Sequence, residues 1–267
     1  MSLLHLAVLA IVQGITEFLP ISSSGHLILV PELTGWPDQG LAMDVAVHVG
    51  TLAAVIAYFH RDVGSMMVGL VQLVVGQRRD GDAQLVLNVI IATVPTVIAG
   101  GVLAASGLVD ALRSVAVIGA TMLGFGVVLY VADMFGMTMR RLNHMTGGKA
   151  LLIGLSQVLA LIPGTSRAGI TITAARMLGF ERREAARFSM LVAIPTILGA
   201  GVLQGGEVWR SGDLELSYQA LVAAALAFVS ALIGVAAMMT WLRHASFTPF
   251  VIYRMIVGAA LLAWAFY

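Results

Sequence analysis

Cysteine is absent from the 267-residue chain. Its absence excludes disulfide bonds, thiolate metal sites and a thiol nucleophile, and it leaves the redox compartment open. Charged residues make up only 11% of the chain, and a net charge of +1 gives no reason to expect nucleic acid as a partner. Residues 1–19 lack the basic leader and the small-residue cleavage site of a signal peptide. No HExxH, GxSxG, Walker or DxDxDG pattern indicates a zinc peptidase, an esterase or a nucleotide-driven pump.

Apolar residues take the place of the missing charge. They make up 59% of the chain, and the mean hydropathy is +0.96, whereas a soluble globular domain contains roughly 45–50% apolar residues. A chain of this length cannot bury such an excess in one core, so the bilayer must solvate most of it. The composition therefore predicts an all-α integral membrane protein that crosses the bilayer several times.

The apolar stretches fall into two kinds. Six are long enough to span a bilayer as helices, at about 20 residues each, namely 43–59, 83–104, 113–135, 185–204, 218–241 and 249–267. Two others, 2–32 and 149–178, are interrupted, the first at Pro20 before three serines and the second at Pro163-Gly164. Because proline removes a backbone donor and glycine loosens a helix, both are predicted to be re-entrant helical hairpins.

Basic residues are distributed unevenly among the predicted connections. One alternate set contains nine of them and the other only two, which is a positive-inside asymmetry. The nine are Arg61, Arg78, Arg79, Arg140, Arg141, Lys149, Arg182, Arg183 and Arg243, and the two are Arg113 and Arg210. The richer set is predicted to face the cytoplasm. Both termini then lie outside, the first hairpin opens to the outer side and the second opens to the cytoplasm.

This alternation predicts a single membrane domain, 1–267, made of two inverted halves of about 1–135 and 149–267. Each half would contain one hairpin and three spans. A Pro-Thr motif at 94–98 recurs at 194–198, but the register between the halves stays ambiguous. The first copy falls on the second span after its hairpin, and the second copy falls on the first span after its hairpin. Broken helices at equivalent places in two halves are typical of a midplane binding site.

The first hairpin combines several polar residue types. Gln13 and Glu17 are four residues apart and share a helix face, and a carboxylate in an apolar helix requires a polar cavity or a partner. Ser22–Ser24 stand where a new helix begins, and its free N–H groups can bind an anion. His26 lies within one turn and can take a proton from a hydroxyl or a water. The alternative is that the serines only cap the helix and that Glu17 and His26 make packing contacts.

The second hairpin supplies a cation. Arg167 stands at a helix start inside an apolar stretch, and its planar guanidinium suits phosphate oxygens. Thr165 and Ser166 add hydroxyl groups, so the two hairpins together predict a phosphate site. A Glu17–Arg167 ion pair without any ligand is the alternative. Asp44 and His48, four residues apart at the outer end of the first span, either line the same cavity or lie at the membrane interface.

Three segments also resemble a known family. The segment QGITEFLPISSSGH at 13–26 closely resembles the first signature of the undecaprenyl-diphosphate phosphatase family, also called the bacitracin-resistance proteins, and PGTSRAG at 163–169 resembles its second. The segment 44–52 resembles a further family segment, and the likeness extends over the whole length. Two positions bear on the roles. Gln13 is within the family pattern but cannot be a charged metal ligand, and Ala168 stands where the family often has serine.

The resemblance implies a bacterial inner-membrane enzyme that hydrolyses undecaprenyl diphosphate to undecaprenyl phosphate and inorganic phosphate. That reaction recycles the lipid carrier for peptidoglycan and confers bacitracin resistance. A fold of six spans and two re-entrant hairpins, a homodimer, a site reached from the periplasm and dependence on Mg²⁺ or Ca²⁺ are implied as well. The implied catalytic residues are Glu17, Ser23, His26 and Arg167, with Glu17 also as a metal ligand. The implied substrate-binding residues are Gln13, Ser22, Ser24, Gly25, Thr165 and Ser166.

The predicted mechanism is phosphoryl transfer at the terminal phosphate of the lipid. Arg167 and the hairpin N–H groups would stabilise the growing charge. Ser23, or failing that Ser22, would attack or position a water, and His26 would act as base and then as acid. One carboxylate is a poor site for a divalent cation, so diphosphate oxygens would have to complete it. The alternative function is a lipid or solute transporter, for which broken helices and a midplane anion site are equally typical.

Overall fold

The computed structural model describes residues 1–77, 81–106, 112, 114–136, 138–211 and 214–266, without the side chains of residue 41 and of residues 200–215. These residues form helices and no strand, with one isolated bridge between Arg140 and Phe180. The helices are α1 Leu3–Thr16, α2 Ser23–Thr34, α3 Leu41–Tyr58, α4 His60–Val74, α5 Gly81–Ser106, α6 Val115–Phe135, α7 Gly147–Gln157, α8 Arg167–Met177, α9 Arg182–Ser211, α10 Leu214–Trp241 and α11 Thr248–Phe266.

Four of the described helices are long and apolar enough to cross a membrane, namely α5, α6, α10 and α11. The pair α3 and α4 passes the same test together but is bent by 89°, so the number of candidate spans is at most five. The prediction of an all-helical membrane protein is confirmed. The six-span count is not, and its segment 185–204 falls in α9, whose side chains are described only as far as residue 199. Four basic residues used for the orientation lie outside the described side chains: Arg78, Arg79, Arg113 and Arg210.

Helix α4 occupies part of the segment 60–82, which was predicted from the sequence to be a connection between spans. It packs on α5 at the buried Gly69, where an added Cβ would overlap the backbone of Asp82. Its other side presents Met67, Val71 and Val74, which are exposed. The helix therefore has one packed side and one exposed side. It is roughly perpendicular to α3. The sequence did not distinguish it from a connection because its apolar run, 66–75, is much shorter than the roughly 20 residues of a span.

The two interrupted stretches form helical hairpins, as predicted. In the first, α1 and α2 pack together; in the second, α7 continues through a 3₁₀ turn at 158–161 and packs on α8. Ser22 and Ser166 are the N-caps of α2 and α8, with φ of 76° and 71°, and no other described non-glycine residue has a positive φ. Their hydroxyls accept hydrogen bonds from the N–H groups of Gly25 and Gly169. Each cap thus satisfies a free N–H group and offsets an unfavourable backbone conformation.

Packing between the longer helices holds the hairpins in the interior. Helix α10 contacts α1 and α3, α5 contacts α7 and α9, and α3 lies against α9. Helices α6 and α11 approach closely at Gly119 and Gly258, where an added Cβ on either glycine would come within about 3.0 Å of the other's carbonyl oxygen. Small residues permit such approaches between membrane helices. The turns of both hairpins therefore meet inside the helix bundle, against α6 and α11.

A separate ionic cluster joins α6, α8 and α9. Asp133 is buried and accepts hydrogen bonds from Arg176 Nε at 3.1 Å and Arg182 Nε at 2.7 Å. Arg176 also donates to the carbonyl oxygens of Asp133, Gly136 and Phe180. These bonds satisfy a fully buried guanidinium, which would otherwise be strongly destabilising.

Candidate active site

Glu17 stands at the C-terminal end of α1 and is only 6% exposed. Its Oε2 accepts hydrogen bonds from Gln13 Nε2 at 2.8 Å and from Ser23 Oγ at 2.6 Å. Its Oε1 accepts from Arg167 Nη2 at 2.5 Å. A buried carboxylate is stable when a cation and hydrogen-bond donors satisfy it in this way. The structure therefore brings together one amide, one hydroxyl, one carboxylate and one guanidinium from two separate hairpins.

Arg167 is the first residue of α8, directly after the cap Ser166. One terminal nitrogen, Nη2, binds Glu17, while Nη1 is buried and has no partner among the described residues. Buried guanidinium donors are nearly always satisfied. An unpaired donor beside a cavity therefore indicates a ligand, and a guanidinium donor suits an oxyanion.

His48 of α3 also lies beside Glu17, in addition to the residues of the two hairpins. Its Nδ1 donates to the carbonyl oxygen of Asp44 at 2.6 Å, and its Nε2 lies 3.5 Å from Glu17 Oε2. Since a carbonyl only accepts, Nδ1 must carry a proton, and Nε2 faces Glu17. The sequence left Asp44 and His48 open between the cavity and the membrane interface. The structure places both on the cavity wall.

A cavity of about 360 Å³ lies between the two hairpin turns. Its polar wall consists of Glu17, Ser23, Ser24, Asp44, His48, Ser166 and Arg167, and the remaining wall of Val45, Thr96, Ala160, Leu161, Thr196 and Ile197. The volume is within the usual range for small-ligand sites. Both Pro-Thr motifs thus supply a threonine to the same cavity, although they lie on α5 and α9, at different positions relative to their hairpins. The helices α2 and α8 also begin at this cavity, so their positive dipole ends point toward it.

His26 lies outside this cavity wall. Its Nδ1 donates to the carbonyl oxygen of Ser22 at 2.6 Å, and the hydroxyl of Tyr253 donates to its Nε2 at 2.6 Å. The two rings are also stacked, with centroids 5.7 Å apart. Both ring nitrogens are therefore engaged in a contact between α2 and α11. The predicted base is thus not brought to Glu17, Ser23 or Arg167 by this geometry.

The remaining predicted substrate-binding residues occupy different depths. Ser24 and Ser166 line the cavity, and Ser166 is also a buried cap, as is Ser22. The hydroxyl of Thr165 is buried without a partner among the described residues. Gly25 lies where the two turns touch, since an added Cβ would sit 3.7 Å from the Cα of Gly164. Gln13 contacts Glu17 rather than the cavity.

The donor set does not fit a divalent cation held by protein ligands alone. No group of three or more Asp, Glu, His or Cys side chains converges anywhere in the described part of the chain. Both oxygens of Glu17 are already engaged by Arg167, Ser23 and Gln13. A cation with six or more oxygen ligands would need most of them from elsewhere.

Comparison with known proteins shows which family the chain resembles. The family described as "Bacitracin resistance protein BacA" matches residues 6–260. The chain belongs to the BacA family. The resemblance predicted from the two hairpin motifs is thereby confirmed, and it covers both halves of the site that this BacA-family chain assembles.

Curated relatives are similar over the full length. An undecaprenyl-diphosphatase of Roseobacter denitrificans is 54% identical over 266 residues, and one of Ruegeria pomeroyi is 53% identical, each with both chains fully covered. Undecaprenyl-diphosphatase 1 of Rhodospirillum rubrum is 52% identical over 272 residues, which cover this whole chain and 96% of the relative. These BacA-family relatives carry an enzyme's name.

Proposed function

We propose that this chain is an undecaprenyl-diphosphatase, which hydrolyses undecaprenyl diphosphate to undecaprenyl phosphate and inorganic phosphate. One observation carries the proposal above the others. Glu17 and Arg167 meet across the two hairpin turns while Arg167 Nη1 stays buried and unpaired beside the cavity. A guanidinium in that state, between two helix N-termini, is suited to a phosphate group. The names of the full-length relatives specify the substrate.

In the proposed complex the terminal phosphate lies against Arg167, with the N-terminal ends of α2 and α8 around it. The apolar part of the wall, including Val45, Leu161 and Ile197, receives the beginning of the isoprenoid. The rest of the tail lies in lipid, where its surroundings match it. A Mg²⁺ or Ca²⁺ ion would have Glu17 as its ligand from the protein, would need most of its other ligands from the diphosphate, and would supply further charge neutralisation.

Ser23 is the nucleophile in the proposed reaction, since its Oγ already donates to Glu17 at 2.6 Å. The Oγ attacks the terminal phosphorus, its proton passes to Glu17, the bridging P–O bond breaks and undecaprenyl phosphate leaves. Glu17 passes that proton to the departing undecaprenyl phosphate and regains its charge. Water then attacks the phosphoserine and gives a proton to Glu17, the P–Oγ bond breaks, Glu17 returns the proton to Ser23 Oγ, and inorganic phosphate is released. The growing charge is stabilised by Arg167. His48 Nε2 lies 3.5 Å from Glu17 Oε2, and in the proposed reaction it assists the transfer of protons through Glu17.

His26 remains a prediction from the family resemblance. Its position between Ser22 and Tyr253 suggests that it holds the start of α2 against α11, and hence acts on Ser23 through the backbone. We assign proton transfer to Glu17 with His48, and we assign the orientation of the first turn to His26. Substitutions at the two histidines distinguish these two roles.

The architecture that we propose around this site has six spans and two re-entrant hairpins in an inverted repeat of about 1–135 and 149–267. The spacing of the capping motifs supports it, because Gln13, Ser22 and Gly25 recur at the same intervals as Gln157, Ser166 and Gly169. The matching contacts of α1 with α10 and of α7 with α5 support it as well. A site reached from the periplasm, and a homodimer, belong to the same proposal.

Phosphate release by the purified protein in detergent tests the function. Undecaprenyl diphosphate should yield stoichiometric inorganic phosphate, first with Mg²⁺, then with chelator, and again after Mg²⁺ is restored. A transporter with a midplane phosphate site would bind the lipid and release no phosphate. Absence of release under all three conditions would contradict the proposal.

A further inference from the structure

Arg254 of α11 is an arginine at the hairpin turns besides Arg167, and it is buried. No motif in the sequence marks it. Its side chain is 0% exposed, and none of the described carboxylates pairs with it. All of its hydrogen bonds go to backbone carbonyl oxygens. Such a guanidinium needs a dense set of acceptors to be tolerated in an apolar interior.

The acceptors come from three segments. In the first turn, Pro20 receives a bond of 3.1 Å from Nη1. In the second turn, Thr165 receives one of 3.0 Å from Nη1 and Gly164 one of 3.1 Å from Nη2. On α6, the carbonyl oxygens of Met122 and Thr121 accept from Nε at 3.1 Å and Nη2 at 3.2 Å.

These bonds link the two turns through one rigid group. Nη1 alone joins Pro20 to Thr165, that is, the residue three positions after Glu17 to the residue two positions before Arg167. The planar guanidinium has five donors in a fixed arrangement, whereas a lysine has three on a flexible stem. Arg254 therefore fixes the distance between the turns in a way that lysine cannot.

The surroundings show that space around the guanidinium is tightly limited. An added Cβ on Gly169 would lie 3.1 Å from Arg254 Nη1, and one on Gly126 would lie 3.3 Å from its Cβ. The Thr121 hydroxyl also donates to the Pro163 carbonyl at 2.6 Å, which holds the second turn against α6. One turn of helix beyond Arg254, Gly258 packs on Gly119 of α6. Contacts with α6 and α11 thus fix the position of the guanidinium, and the guanidinium in turn binds both hairpin turns.

We propose that Arg254 is a positioning residue of the phosphatase reaction, which keeps Ser23 of the first turn and Arg167 of the second in catalytic register. This rests on the proposed function. Arg254 contacts the carbonyl oxygens on one side of the turns. The opposite side, where the N–H groups at the N-termini of α2 and α8 lie, is therefore directed to the substrate. Misplacement of catalytic groups by about 1 Å can lower a rate on the order of 10²-fold.

The test compares Arg254→Lys with Arg176→Lys, the equivalent change at the other arginine that is fully buried among the described side chains, which does not line the cavity. We expect Arg254→Lys to lower kcat about 10- to 100-fold with less than threefold change in KM, because positioning acts in the transition state. Arg176→Lys should lower the melting temperature but leave kcat within about threefold at temperatures where it is folded.

A double-mutant cycle separates positioning from plain destabilisation. If Arg254 acts through Arg167, then Arg254→Lys added to Arg167→Ala should lower the residual kcat by less than about threefold, since groups that act as a unit are not additive. A full 10- to 100-fold further loss, or a single Arg254→Lys variant within twofold of wild type, would overturn the proposal.

The geometry can also be measured without activity. The chain has no cysteine, so spin labels at Leu33→Cys and Leu159→Cys, both exposed and one on each hairpin, report the distance between hairpins. We expect Arg254→Lys to broaden that distance distribution and Arg176→Lys to leave it unchanged. Broadening in a protein whose wild type releases no phosphate would refute the proposed function while keeping the link between the hairpins. An unchanged distribution would refute the link itself.

Discussion

Arg167 and Glu17 are 150 positions apart in the chain, yet Arg167 Nη2 donates to Glu17 Oε1 at 2.5 Å. The pair closes one side of the cavity and leaves Arg167 Nη1 for a ligand. A lysine at position 167 would have a single nitrogen for both tasks. The first prediction follows from this difference.

We expect Arg167→Lys to lower kcat/KM about 10²- to 10³-fold, the usual loss for one transition-state donor. The measurement is phosphate release from undecaprenyl diphosphate in detergent. Arg182→Lys is the control, since Arg182 pairs with Asp133 in the separate cluster, and it should change kcat/KM less than threefold. Comparable losses in both variants would show that ion pairing in general, rather than phosphate binding, is being measured.

Ser23→Ala should lower kcat about 10³-fold or more, because it removes the proposed nucleophile. Ser24 lines the same cavity wall but makes no hydrogen bond to Glu17. The Ser24→Ala variant should therefore reduce kcat less than about tenfold. Rapid-quench analysis with labelled terminal phosphate should find a phosphoserine in wild type. Near-full turnover by Ser23→Ala would instead favour direct attack by water.

The two histidines should behave differently. His48→Ala removes the group 3.5 Å from Glu17 and should lower kcat about 10²-fold, as is usual for loss of general acid–base assistance. His26→Ala removes the contact with Tyr253, and Tyr253→Phe should reproduce its effect on the melting temperature. If His26→Ala abolished turnover while Tyr253→Phe and His48→Ala were both close to wild type, the assignment of proton transfer to His48 would be wrong.

Divalent cations should bind weakly to the protein without substrate. The described residues offer no cluster of three acidic or histidine ligands, so we expect Mg²⁺ and Ca²⁺ dissociation constants of about 1 mM or weaker, as at the least charged protein sites. Calorimetric titration of the purified protein measures this. Micromolar binding that disappears in Glu17→Gln would instead identify a resident metal site.

Gly14→Ala should destabilise the protein. An added Cβ would overlap the Ser230 side chain and crowd the Ala231 backbone on α10, and overpacking of this kind typically costs about 1–3 kcal/mol. Gly101→Ala is the control, because no atom lies within 4 Å of the added Cβ there. Equal melting temperatures for both variants would mean that α1 and α10 pack less closely than described.

Much of the site could be predicted because local signals carry it. Proline before serines, and proline before a Gly-Thr-Ser-Arg run, mark the two turns, and a lone carboxylate and a lone guanidinium in apolar stretches need each other. Glu17, Ser23 and Arg167 were therefore predicted together, and the structure joins them. Family membership, which rests on the same motifs, is confirmed.

What the sequence did not disclose depends on tertiary packing. His26 is three residues after Ser23, which suggests a shared face, but its ring bends back to the Ser22 carbonyl and on to Tyr253. Arg254 lies in an ordinary apolar span, and its importance appears only when carbonyl oxygens of both turns are seen to accept hydrogen bonds from it. No spacing rule relates residues that are more than 200 positions apart.

The contact between the turns at Gly25 and Gly164 has a pharmacological consequence. In the proposed complex neither hairpin holds the phosphate alone, so the site depends on the close contact of the turns, where an added Cβ on Gly25 would lie 3.7 Å from the Cα of Gly164. A neutral, lipophilic compound that entered from the bilayer and wedged this contact open would separate Ser23 from Arg167. Such an inhibitor would need no resemblance to a diphosphate.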